Sequence, residues 1–131
     1  MANAVQATAK KAMLDQLLAL GTLKATIVDL ADYTYNAGHD FIDDVPAAAR
    51  VATATLASVT TTAGTLDAAD TTFTSVSGDQ SEALVLWVDT GSETTSPYLC
   101  FWDSGVTGFP LTPVGTNVVA QWSASGIITL S

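Results

Sequence analysis

From residue 83 to the end, the chain repeats one pattern four times: a short run rich in β-branched and aromatic residues, bounded by Gly, Ser, Pro or Asp. The runs are Ala83-Leu84-Val85-Leu86-Trp87-Val88-Asp89, Tyr98-Leu99-Cys100-Phe101-Trp102-Asp103, Asn117-Val118-Val119-Ala120-Gln121-Trp122 and Gly126-Ile127-Ile128-Thr129-Leu130-Ser131. Side chains of this kind suit a pleated, half-buried surface, and turn signals at such short spacing predict a packed antiparallel sheet. The block holds no Lys, Arg or His, so a catalytic site is hard to place in it. The last run is expected to lie locked in the main sheet, with Ile128 facing the core.

Upstream, Val5 to Leu20 predicts the one long helix. Its composition is Ala-rich, Met13, Leu14, Leu17 and Leu18 fall on one face, and Lys10, Lys11, Asp15 and Gln16 can face water. Gly21 supplies the stop. Leu23 to Leu30 reads as a largely buried strand, Arg50 to Leu56 and Thr71 to Val76 alternate as strands do, and Ser58 to Ala63 offers another before Gly64 turns the chain. Together these give about eight strands and one N-terminal α-helix, and the fold class is mainly β: an antiparallel β-sandwich or barrel-like domain. All 131 residues form a single domain, with residues 1–21 as a helical segment and 22–131 as the β domain. Ser and Thr account for 30 of the 131 residues, which suits exposed strand faces better than helices.

Charge narrows the function classes. Thirteen acidic residues face four basic ones, Lys10, Lys11, Lys24 and Arg50, and nothing after Arg50 is cationic. Phosphate contacts need clustered Lys and Arg, so nucleic acid is not an expected partner. The same field opposes anionic membranes, no apolar run approaches a bilayer span, and the first 20 residues contain no signal-peptide core. The single Cys100 sits inside an apolar run, where it reads as a small buried hydrophobe.

The groups that could carry chemistry are few. Asp40, Asp43 and Asp44 cluster beside His39, the only histidine. Carboxylates of this kind could hold a calcium-like ion, but the spacing is not that of an EF-hand loop, and capping or a solvated turn explains them equally well. No metal, cofactor or catalytic residue is expected. Asp67 and Asp70 read as turn residues. There is no Gly-x-Ser-x-Gly elbow and no Gly-rich phosphate loop. Trp87, Trp102 and Trp122 could stack on sugars, though their place within apolar strands favours the core. Ala31 to Val45, with Tyr33, Tyr35 and the aspartates, looks like a binding loop. Trp102, Val106, Phe109 and Leu111 form a second candidate contact region with little polar cover.

A strand closing in Asp89-Thr90-Gly91, a Thr95-Ser96-Pro97 lead into a strand ending at Asp103, a Gly-rich loop with Leu111-Thr112-Pro113, and Trp122 followed by Gly126-Ile127-Ile128-Thr129-Leu130 occur in that order. Met1-Ala2-Asn3-Ala4 and the segment Tyr33 to Val45 extend the pattern toward the N-terminus. In this order the chain resembles a family of small virion structural proteins of tailed bacteriophages, over nearly its whole length. The resemblance implies a non-enzymatic particle component, assembled in the host cytoplasm and located in the virion. A capsid decoration or cement protein, bound to the major capsid protein from outside as a small homo-oligomer, is the first expectation. A tail or neck protein bound to other virion proteins is the second, and a virion carbohydrate-binding module is the alternative from another class.

Overall fold

The structure, a computed structural model, describes residues 4–104 and 108–130. In chain order its elements are α1 (Ala7–Leu18), β1 (Thr22–Val28), β2 (Arg50–Thr55), β3 (Thr65–Leu66), β4 (Thr71–Phe73), β5 (Ala83–Asp89), β6 (Tyr98–Trp102), β7 (Val118–Ala120) and β8 (Ile128–Thr129). Near-continuous apolar runs such as those of β1 and β5 belong to strands covered on both faces. These two strands accordingly form the centre of the molecule, antiparallel in register from Thr22 opposite Asp89 to Val28 opposite Ala83. β2 and β6 flank them, giving one four-stranded antiparallel sheet in the order β2-β1-β5-β6.

Period-2 alternation then assigns the two faces. Leu23, Ala25 and Ile27 with Leu84, Leu86 and Val88 point into a core completed by Leu14, Leu56, Leu66, Phe73 and Val76. The covering layer on that side is α1 and two antiparallel ribbons, β3 with β8 and β4 with β7. Val28, Ala83, Val85 and Trp87 point the other way, under Tyr33, Ile42, Val45 and Ala49. That second cover is largely non-strand chain, stiffened by 3-10 turns at Ile42–Asp44 and Ala47–Ala49. The result is a mainly β, sandwich-like domain with, among the described residues, eight strands and one N-terminal helix.

Several sequence expectations change here. β7 and β8 are not in the main sheet: Ile128 pairs with Leu66, and Val118 pairs with Phe73. Ile128 still packs partly buried against the first core. Ser58 to Ala63 is not a strand, because Ser58 and Ala63 take positive φ (55° and 52°) and only Thr60 bridges, to Asp67. The helix is also rotated from its expected face. Leu14 is buried but Met13 is 56% exposed, and the Lys10 stem lies over the backbone of Gly64. Gly64 has no side chain to hold α1 away, so the contact seam centres on Leu14 and Lys10. The aliphatic part of a lysine serves such a seam well.

One polar group is built into the second core. The buried Trp87 Nε1 donates to Thr26 Oγ1 at 2.9 Å, and Thr26 Oγ1 lies 2.8 Å from Thr53 Oγ1. Thr26→Val preserves shape but strands the indole N–H. It is expected to cost about 1–2 kcal/mol in chemical denaturation, since an unpaired buried donor loses its hydration without replacement. An unchanged midpoint would show that Trp87 finds another acceptor.

Candidate functional site

The segment after β1 leaves the sheet at the buried Asp29, whose Oδ1 accepts the Ala31 N–H at 2.8 Å. The chain then folds back over the second face. Tyr33 points inward and is only 4% exposed, which corrects its expected role as a surface contact. Its hydroxyl lies 2.7 Å from His39 Nδ1 and 3.1 Å from Tyr98 Oη. Pairing at both sides of the hydroxyl is what allows a phenol to be buried here. Burial raises the Tyr33 phenol above its ordinary value, and it raises Tyr98 strongly. Both phenols therefore stay protonated and act as hydrogen-bonding groups.

Tyr35 takes the opposite position. It is 48% exposed and lies flat on Phe101, ring centroids 4.5 Å apart at 14°. Phe101 in turn meets the edge of Tyr33 at 6.2 Å and 68°. Tyr33, Phe101 and Tyr35 thus step from core to surface as an aromatic stack, and Tyr35 offers the outermost ring.

Asp40, Asp43 and Asp44 are not gathered into an ion site. Asp44 Oδ2 accepts the Asp40 N–H at 3.0 Å, and hydrogen bonds from the Asp40 and Phe41 amides hold the Asp44 carboxyl below its ordinary range. Its role is to fix the turn. Carboxylates that do converge are Asp29, Asp32 and Asp79, whose oxygens lie within 4.8 Å of one another. Sequence reasoning missed this trio because Asp79 comes from the loop before β5, far along the chain. Asp67 holds local structure as expected, accepting from the Ala68 amide, whereas Asp70 accepts from the distant Trp122 amide beyond β7.

The second candidate region is also changed. Val106 lies outside the described residues. Phe109, Leu111 and Trp102 are half-buried and pack against the first core, and Trp102 sits 6.0 Å from Trp122. Leu111 is tied down by a reciprocal backbone pair with Ser81, 2.8 and 2.7 Å. The region is thus part of the fold, not a protruding patch. Phe109→Asp is expected to destabilise the domain by about 2 kcal/mol, as a charge placed against an apolar core must stay partly hydrated. Thermal melts at constant salt would check it, and an unchanged Tm would return Phe109 to the surface.

Cys100 is a free thiol, half-buried, and burial pushes it up from its ordinary value, away from the thiolate form. His39 commits Nδ1 to Tyr33. An exposed apolar face is also on α1, in the region whose small, apolar start already marked it as a contact candidate in the sequence. Ala9, Ala12, Met13 and Gln16 are all exposed, flanked by exposed Val5 and Leu20. By contrast, Lys11 reaches Asp15 at 2.8 Å and Thr61 at 3.1 Å, and Lys10 covers Gly64. The helix charges therefore serve its own domain, and its outer side is uncharged. A helical wheel alone gives this stripe, but the strong Leu14-Leu17-Leu18 signal hides it.

Among the described residues no helix is long and apolar enough to cross a membrane. Neither protein-family models nor curated protein sequences give a match to this chain.

Proposed function

We propose that this chain is a non-enzymatic structural component of a tailed-phage particle, in the first place a decoration or cement protein on the outside of the head shell. The observation that carries an attachment role is the outer side of α1 and its flanks, where Val5, Met13 and Leu20 are 46%, 56% and 53% exposed and Ala9, Ala12 and Gln16 are exposed beside them. Exposed apolar surface on a small domain marks a contact. The phage assignment rests on the resemblance in the order of strands and turns from Tyr33 to Leu130. A net charge of −9 suits a location away from packaged DNA. Bound to subunit joints, such a domain would favour the assembled shell by mass action.

The test mixes purified protein with expanded empty shells and, separately, with tails of the same phage, and locates it in micrographs. Binding to shells, weakened at least tenfold by Met13→Glu without loss of fold, supports decoration. Binding to tails alone moves the protein to the tail or neck, and binding to neither removes the virion role. One observation favours a carbohydrate-binding module instead: the flat, half-exposed Tyr35 ring, held rigid on Phe101. Stacking on a sugar would be abolished by Tyr35→Ala on a glycan array.

A further inference from the structure

Between the main sheet and the β4–β7 ribbon lies a cavity of about 100 Å³. One wall is Ile27 and Leu84, directly paired across β1 and β5, and the opposite wall is Phe73 and Val118, directly paired across β4 and β7. Phe109 and Leu111 close a third side, held by the Ser81–Leu111 backbone pair. Val119, 52% exposed, stands on the open side.

Voids in well-packed interiors seldom exceed one water molecule. This one is larger and open on one side, and every side chain lining it is apolar, so water inside is held by few polar partners. Collapse is opposed as well. Each wall is fixed in its own plane by a β-ladder, and the Ser81–Leu111 backbone pair anchors the third side to the segment that enters β5. A preformed apolar recess of this kind favours an uncharged hydrocarbon group.

We infer that the cavity is a binding site for a small apolar molecule, between xenon and benzene in size. The inference is independent of the virion reading. The test exposes the intact protein to xenon and to benzene, and follows methyl NMR signals and Tm. The expected result is shifts concentrated on the Ile27, Leu84, Leu111 and Val118 methyls, with a Tm rise of about 3–5 °C at ligand tenfold above Kd. Ala120→Leu, which places a side chain in the space, should abolish both responses. If that variant fails to fold, Val119→Trp at the half-exposed rim serves instead. Absence of methyl shifts at saturating probe, or equal shifts in a folded filled variant, would overturn the site.

Discussion

Arg50→Ala should lower stability by about 3–4 kcal/mol, more than any other single surface-side change in this chain. Arg50 Nε and Nη2 donate to the Val45 carbonyl at 3.0 and 2.7 Å, and Nη2 also reaches the Ile42 carbonyl at 2.9 Å. Nη1 and Nη2 then take the two Glu93 oxygens at 3.0 and 2.9 Å. Ile42 and Val45 are fully buried, so their carbonyls have little access to water once the guanidinium is gone. Charged hydrogen bonds of this kind contribute about 1.5–3 kcal/mol each, and they are not additive. Arg50→Lys should recover less than half, because an ammonium donates from a single nitrogen and cannot reach carbonyls and carboxylate on both sides as the planar guanidinium does. Glu93→Gln should cost under about 1 kcal/mol, as that side chain is 59% exposed. Arg50 holds the Glu93 carboxyl below 4.5. The contribution of the Arg50–Glu93 pair is therefore complete above that value and disappears as pH falls through the lowered one, while the carbonyl contacts of Arg50 remain. Equal losses for Arg50→Ala and Glu93→Gln in urea titrations would contradict this division.

Gly21→Ala is expected to cost about 3 kcal/mol although Gly21 is exposed. A Cβ there would fall on the carbonyl group of Asp89 and against Thr90, so β1 and β5 would have to separate at the end where Thr22 pairs with Asp89. The same movement would strain the Lys24–Asp89 ion pair, 2.7 Å. Overpacking against backbone, which has no rotamer to yield, is the costly form. Gly91→Ala provides the comparison. Gly91 has φ +95° but open space around it, so it should lose only about 1 kcal/mol from the left-handed conformation. If both variants melt alike, the close approach at Asp89 is not a constraint.

The sequence was most legible where burial was two-sided. β5 occupies Ala83–Asp89, the run that composition marks, while the edge strand β2, at Arg50–Thr55, was legible from its alternation instead. Strand partnership was not legible, since two- and three-residue ladders such as β3–β8 and β4–β7 carry no signal distinguishing them from ends of the main sheet. Gly21 reads as a helix stop, yet its strictest role is steric and depends on a strand much later in the chain. The candidate site followed the same division. Tyr35 was found at the surface, but Tyr33, two residues earlier, is buried because His39 and Tyr98 satisfy its hydroxyl. Neither partner could be assigned from spacing. The cavity needs volumes, which sequence does not contain.

The two-sided burial of β1 also bears on the order in which the molecule can form. Its partner β2 is the next strand along the chain, but its other ladder waits for β5, with Val28 meeting Ala83 and Thr22 meeting Asp89. Pairings between segments so distant are slow because loop closure comes before any contact rewards it. A growing chain that has emerged only through β4 would hold β1 with one open edge and two apolar faces half covered. For such a chain the hazardous interval is synthesis itself, and the residues that end it are Ala83 to Asp89.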